Sequence, residues 1–386
     1  MKKYDVAIVG GGASGLACAV ILAENSNLST VILEAGERIG KKLASTGNGQ
    51  GNISNLDLNS GHYFGGNTPL VEKIACGNPY AAQRIFDCIF SADERGRIYP
   101  AGRQASALCD NLLRRLSGKV EILLSTTVKN IEKGFILETE KGKIAADYAI
   151  ICTGGSAQPV AKGISPYSLA ERFGHTHTAL YPSLVQLKTD TAHIKTLRGI
   201  RADCELSAYS DGKFIKSTRG DVIFAEYGIS GNAVFAISPY VTDKPGVTLS
   251  LAFLPDITEE IILDNLKKRR MAGYKGSELL SGTLHNQIGR AIIARSGAES
   301  DEKIVKTLKN FTLDLKETLG FAYAQVTRGG IKMTEITQEL ESKLIKNLFF
   351  AGEILDVDGD CGGYNLQWAF TSGMYIAENI MKRAKK

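Results

Sequence analysis

Tyr4-Asp5-Val6-Ala7-Ile8-Val9 runs straight into Gly10-Gly11-Gly12-Ala13-Ser14-Gly15, and Glu34 closes the next apolar run, Thr30-Val31-Ile32-Leu33. The first run predicts a buried strand, and Leu16 to Leu22 predicts a helix after the glycine turn. In a strand-turn-helix of this kind Gly10 lets the chain leave the strand tightly. Gly12 clears a side chain from the path of a pyrophosphate, and Gly15 lets the helix pack close to the sheet. The helix N-terminus then offers free N–H groups and partial positive charge to an anion. An ordinary glycine-rich turn would explain the glycines alone. It does not explain the strand before them, the helix after them and an acidic residue 19 positions beyond Gly15.

The chain has 386 residues, long enough for two or three domains. Its 44% hydrophobic and 23% charged content fits a soluble globular protein. No apolar stretch reaches the roughly 18 to 20 residues of a membrane span. Met1-Lys2-Lys3 followed by an apolar run mimics a signal peptide, but the run breaks into glycines that already have a use. Seven cysteines, an odd number with no C-x-x-C pair, point away from zinc ribbons and dithiol centres. Free thiols in a reducing cytoplasm are the expectation. The net charge of +5 is spread among both signs, which predicts a solvated surface rather than a nucleic-acid stripe.

Beyond the first unit lies Ser45-Thr46-Gly47-Asn48-Gly49-Gln50-Gly51-Asn52-Ile53-Ser54-Asn55, a loop able to wrap a phosphate or a ring edge; a plain surface linker is the alternative. Leu108, Leu112, Leu113 and Leu116 recur at helical spacing. Strand-like runs follow at Val120 to Leu124, Phe135 to Thr139 and Lys143 to Cys152, the last delivering Thr153-Gly154-Gly155. Residues 185 to 255 read as antiparallel strands with a hairpin at Asp211-Gly212. From Pro255 to Leu308 the pattern turns helical, at Ile257 to Leu266, Asn286 to Ala294 and Lys303 to Leu308. Near the end, Phe349-Phe350-Ala351-Gly352-Glu353 reads as a strand, and Gly362-Gly363-Tyr364-Asn365-Leu366-Gln367 opens a helix running to Met381. One chain thus offers two anion-ready helix starts for one long ligand.

Along its whole length the sequence resembles the bacterial BaiN/YhiN-like flavoproteins. The matching pieces are the glycine turn with Glu34, Gly40-Lys41-Lys42-Leu43, Gly96-Arg97-Ile98-Tyr99-Pro100, Thr153-Gly154-Gly155, Phe173-Gly174-His175, Gly228-Ile229-Ser230-Gly231, Gly329-Gly330-Ile331 and Leu340-Glu341-Ser342-Lys343-Leu344. The most specific is Phe350 to Gln367. The resemblance implies an α/β, Rossmann-like FAD-binding fold of the two-dinucleotide-binding-domain type, with an inserted β-barrel-like domain and a small helical domain. The expected boundaries are 1–184 with 326–386 for a discontinuous FAD-binding domain, 185–255 with 309–325 for the β domain, and 256–308 for the helical subdomain.

Position by position, the resemblance implies Gly10, Gly12, Ala13, Ser14 and Gly15 on the FAD pyrophosphate and Glu34 on the adenosine ribose. Lys42, Gly49 and Asn52 would lie along the cofactor, Val128 near adenine, and Thr153, Gly154 and Gly155 at the return crossing. Gly352 and Glu353 would meet the ribityl and pyrophosphate region; Gly363, Asn365 and Leu366 would border the isoalloxazine ring. Two departures stand out. Gln50-Gly51 precede Asn52 where the family usually has Arg-Cys, and Gln158 precedes Pro159 where it usually has Tyr, with the following Thr-Gly missing from Val160-Ala161-Lys162-Gly163. Both fall toward the substrate side.

The implied activity is that of an FAD-dependent oxidoreductase, with reduction of an activated C=C bond of a small-molecule substrate as first choice and NAD(P)H as a transient electron donor. No second G-x-G-x-x-G is present for a resident nicotinamide. An amine oxidase using O2, an RNA-binding or RNA-modifying flavoprotein, and a redox sensor without turnover are the alternatives. His175 and His177 lack neighbouring ligands at metal spacing and read as structural, so no metal is expected. Tyr364 reads either as a proton donor or as an aromatic packed beside the ring. The sequence names no catalytic residue and carries no signal of oligomeric state.

Overall fold

A computed structural model describes residues 1–159 and 163–385, so Val160, Ala161 and Lys162 of the second departure lie outside the described residues. The chain forms two compact units, Met1–Tyr181 with Val326–Lys386, and Pro182–Gln325.

The first unit is built on a seven-stranded sheet. Its parallel part runs Glu121–Leu123, Thr30–Leu33, Lys2–Val9, Gly142–Ile151, Leu348–Phe350, and the antiparallel strands Ile136–Thr139 and Val128–Glu132 pair on beyond the start of Gly142–Ile151. Thr30–Leu33 and the second half of Lys2–Val9 are buried without alternation, as a sheet covered on both faces requires. One covering element is the helix Ala13–Asn25, buried continuously from Ser14 to Leu22. A helix so apolar all round belongs between layers. The final helix, Tyr364–Ala384, packs against it, and Gly373 faces the Ser14 carbonyl with no room for a Cβ.

The second unit is a closed barrel followed around as Leu187–Thr189, Gly228–Ser230, Lys213–Ala225, Arg201–Ser210, Val247–Phe253 and Phe311–Thr318. Cys204, Leu206 and Ala208 are buried at alternate positions, the period-two pattern of a strand with one face inward. The hairpin at Asp211-Gly212 has positive φ at both residues, 48° and 75°, which is the geometry of the tight turn read from the sequence. Three helices, Glu259–Met271, Asn286–Ser296 and Asp301–Lys309, follow the barrel's fifth strand; Thr258 and Ser300 cap two of them by accepting from Ile261 and Lys303 N–H. One helix differs from the all-strand reading of 185 to 255. Asn232–Val241 is helical, with Pro239 in its last turns, and buries Ala233, Val234, Ile237 and Val241.

His175 and His177 stand at alternate positions yet meet different partners. His177 faces Glu171 at 3.3 Å. His175 is buried, with Nδ1 3.1 Å from Glu335 Oε2 and Nε2 2.7 Å from Ser342 Oγ. Burial pushes the His175 imidazole below its ordinary value, against the attraction of Glu335. Burial alone would raise Glu335, but hydrogen bonds from Thr176 and His175 outweigh it and hold its carboxyl below the usual range. The His175 contribution to stability is therefore present above the ordinary histidine value and is lost as pH falls below it toward the lowered folded value, whereas that of Glu335 is lost only below the ordinary carboxylate range. The melting temperature is expected to drop by several degrees between pH 7.5 and 5.5. In His175→Gln, where position 175 no longer titrates, differential scanning fluorimetry should return a visibly flatter profile.

Candidate functional site

Four parallel strands end in one row, because Val9 pairs with both Leu33 and Ile151, and Ile151 with Phe350. The residues just past that row share one crevice at the carboxyl edge of the sheet, the place where open α/β sheets bind ligands. They are Gly10, Glu34, Thr153 and Gly352. The alignment is pinned by backbone bonds of 2.8 Å from Gly10 N–H to Leu33 O, 2.8 Å from Cys152 N–H to Val9 O, and 3.1 Å from Ala351 N–H to Ile151 O.

At the first turn each glycine has a different surrounding. A Cβ on Gly10 or Gly15 would enter the van der Waals surface of the Cys152 or Gly10 carbonyl, so both are fixed by protein packing. A Cβ on Gly12 would meet nothing within 4 Å. That open space lies over the start of Ala13–Asn25, a helix with no side-chain cap and no acid in its first turn. The Glu34 carboxylate is buried and aimed back at this turn, accepting from Gly11 N–H at 2.7 Å and Gly36 N–H at 2.6 Å.

The return strand brings Gly154 and Gly155 against Glu353. A Cβ on Gly155 would lie 2.5 Å from Thr327 Oγ1 and 2.8 Å from Glu353 Oε1. Glu353 Oε1 accepts from Thr327 N–H at 2.7 Å, while Lys42 Nζ stands 3.4 Å from Glu353 Oε2. Thr153 spends its hydroxyl on the Pro166 carbonyl, 2.8 Å away. Ser14 Oγ donates to Ala351 O at 3.3 Å, which fastens the first helix to the strand that carries Gly352 and Glu353. Gly352 is held in turn by Ser372 Oγ, which accepts from its N–H at 3.0 Å, and by Trp368 Nε1–H, which donates to its carbonyl at 3.1 Å. Neither Ser372, Trp368 nor Thr327 stands out in the sequence, because each acts through a contact distant along the chain.

At the far end, the final helix also starts without a side-chain cap, at Gly363. Gly363 packs on the backbone of Ser54, and Asn55 Nδ2 donates to Gly362 O at 3.1 Å, so the loop of residues 45 to 55 reaches this helix start. Within that loop Gly49 opens onto free space, and Asn52 Oδ1 is buried with no hydrogen-bond partner among the described residues. Gln50 is exposed, and Gly51, at φ +79° against Leu108, Ala105 and Pro100, sits where a side chain is strained and tightly hemmed in. Asn365 turns back on the chain: its Oδ1 accepts from Gly359 N–H at 2.8 Å and its Nδ2 donates to Gly359 O at 2.7 Å. It shapes the turn; the partly buried Leu366 follows it on the helix. Tyr364 is buried, donates to Asp57 O at 3.0 Å and stacks on His62 with centroids 4.4 Å apart. Val128 is buried at the start of the outer strand Val128–Glu132.

This crevice and its glycine turn define a Rossmann-type dinucleotide-binding protein. The chain belongs to the HI0933-like protein Rossmann domain family, whose model it matches over residues 4–379. It is 30% identical to the 3-dehydro-bile acid delta(4,6)-reductase of Clostridium scindens, covering 96% of this chain and 97% of that one. The ribosomal RNA dihydrouridine synthase of Escherichia coli is 26% identical over 99% of both chains. In fold it is similar to the 3-ketosteroid-delta4-(5alpha)-dehydrogenase of Rhodococcus jostii RHA1, with a TM-score of 0.51, 14% identity, and coverage of 97% of this chain and 96% of that one. It is an FAD-dependent oxidoreductase by family. The residues present fit that cofactor: the space over Gly12, the partnerless Asn52 Oδ1 and the two uncapped helix starts are what a long, anionic, ring-bearing ligand requires. Among the described residues no helix is long and apolar enough to cross a membrane, and no group of three His, Cys, Asp or Glu is placed to hold a metal.

Proposed function

We propose that this protein reduces a carbon–carbon double bond conjugated to a carbonyl, using FAD with NAD(P)H as the electron donor. The observation that carries the reading is the likeness to the Clostridium scindens reductase over nearly the full length of both chains, whose name denotes saturation of such a bond. The dihydrouridine synthase relatives support it from another side, since dihydrouridine is uridine with its ring double bond, also next to a carbonyl, saturated. Bound there, FAD would supply the hydride-transfer chemistry between nicotinamide and substrate. The rest is the work of this chain. Gly10, Gly12, Ala13, Ser14 and Gly15 hold the pyrophosphate against the first helix start. Glu34 takes the ribose, Val128 flanks adenine, and Lys42, Gly49, Asn52 and the Thr153 to Gly155 turn line the cofactor. Gly352 and Glu353 meet its middle, and the turn made by Gly363, Asn365 and Leu366 presents a helix start, positively polarised, to the ring.

Reduction of a small conjugated ketone is the first reading. Reduction of uracil in RNA is the second, favoured by the relatives at 26% and 29% identity. Without oxygen, NADH or NADPH should bleach the yellow colour of the loaded protein, and a conjugated ketone or a uracil-containing RNA should restore it. Colour lost to aminoacetone rather than to either nicotinamide, with peroxide formed in air, would instead mark an amine oxidase.

A further inference from the structure

The last residue of the short strand Val326–Arg328 has no role in the site so far. Its neighbour Thr327 is bonded to Glu353, and the strand Val357–Gly359 beside it leads directly into the turn held by Asn365. Arg328 thus stands between the two parts of the crevice that the proposed function gives to the ribityl chain and the ring. Its guanidinium carbon lies 4.0 Å from the centre of the Phe64 ring, and its Nε lies 3.7 Å from Asp358 Oδ2. The ring is a flat platform that fixes the plane of the guanidinium. Asp358 is 1% exposed and opposite Phe64 in the strand pair, so the platform and the counter-charge are set by the same ladder. Arg328 itself keeps 16% of its side chain exposed. At 3.7 Å the carboxylate steadies the cation by charge, at longer than hydrogen-bond range. Nearby, burial pushes the Asp356 carboxyl up despite a hydrogen bond from Thr178 and the charge of Arg328.

We propose that Arg328 anchors the substrate by its carbonyl oxygen and holds the negative charge that this oxygen gains during reduction. As hydride adds to the β-carbon, the electron pair of the double bond moves to give an enolate, whose oxygen the guanidinium meets with a charge-assisted hydrogen bond. A proton from solvent then closes the α-carbon and the saturated ketone leaves. This role rests on the cofactor placement proposed above. It assigns the substrate class by chemistry: a planar carbonyl compound whose oxygen can bear charge, with the acceptor oxygen toward Phe64 and Arg328.

The test uses a stable enolate mimic and needs no turnover. FAD-loaded protein is titrated with 4-chlorophenol, whose phenolate gives a long-wavelength absorbance band when it stacks on an oxidised flavin. Arg328→Lys should weaken the mimic by less than about threefold, and Arg328→Gln by about tenfold or more. Because Arg328→Gln leaves Asp358 buried beside a neutral residue, the double variant Arg328→Gln/Asp358→Asn removes both charges and protects the fold. It should keep a full FAD content and show the same weakening. A yellow wild type that gives no band, or a yellow double variant that binds the mimic as tightly as wild type, overturns the anchoring role and leaves the cofactor reading intact. A wild type that takes up no FAD overturns the cofactor reading, and the anchoring role with it.

Discussion

Gly12→Asp is expected to leave the protein folded and to remove its cofactor. At φ −82° and ψ −171° Gly12 has ordinary extended backbone, so a side chain adds no strain, and its Cβ would meet nothing within 4 Å. It is also the N-cap of Ala13–Asn25, where aspartate is among the best residues and glycine is no better. The melting temperature of the cofactor-free protein should therefore hold or rise slightly. The new carboxylate, however, fills the space over the helix start, takes up its N–H groups and repels a pyrophosphate. Affinity for FAD should fall by more than about a hundredfold, about 3 kcal/mol. Quenching of free FAD fluorescence on titration measures the loss, and scanning fluorimetry checks the fold. A Gly12→Asp protein that binds FAD like the wild type would mean that the cradle lies elsewhere.

The second large effect is Gly373→Ala, where the usual sign is reversed. In the interior of an exposed helix this change stabilises by about 1 kcal/mol. Here the added Cβ would overlap the Ser14 carbonyl oxygen and lie 3.2 Å from Cys18 N, backbone that cannot swing aside. The two helices must separate, which should cost about 2 to 4 kcal/mol. The same separation pulls Ser14 from Ala351 and Gly352, so FAD content should fall with stability. Urea unfolding followed by circular dichroism gives the first number and the visible spectrum the second. A more stable Gly373→Ala protein would refute the close contact.

How much of this was legible in the sequence depended on how local the cause was. The strand, glycine turn and helix of residues 4 to 22 are dictated by neighbours, and they appear at Lys2–Val9 and Ala13–Asn25. The strand-like pattern of residues 185 to 255 and the helical spacing from Pro255 to Leu308 are local too, and they appear as Arg201–Ser210 and as Glu259–Met271, Asn286–Ser296 and Asp301–Lys309, whereas the barrel was implied by the resemblance alone. Asn232–Val241 escaped because its Pro239 and its position between strands argue against a helix, while the burial that overrides them is a property of the folded unit. Gly373 reads as one more helix glycine until Ser14 is placed against it. The resemblance gives Asn365 to the ring; that its amide also closes a turn onto Gly359 is fixed by a backbone path that no spacing announces. Arg328 is likewise a single basic residue in the sequence. Phe64 and Asp358, brought beside it by a two-strand ladder, make it part of a site.

The proposed cofactor placement runs one FAD along the crevice from Gly12 to Gly363. The direct measurement is the visible spectrum of the purified protein after incubation with FAD and gel filtration, with the flavin then released and counted. A yellow protein carrying about one FAD per chain is expected, with Gly12→Asp colourless under the same treatment. A wild-type protein that emerges colourless, while still folded by circular dichroism, would contradict it.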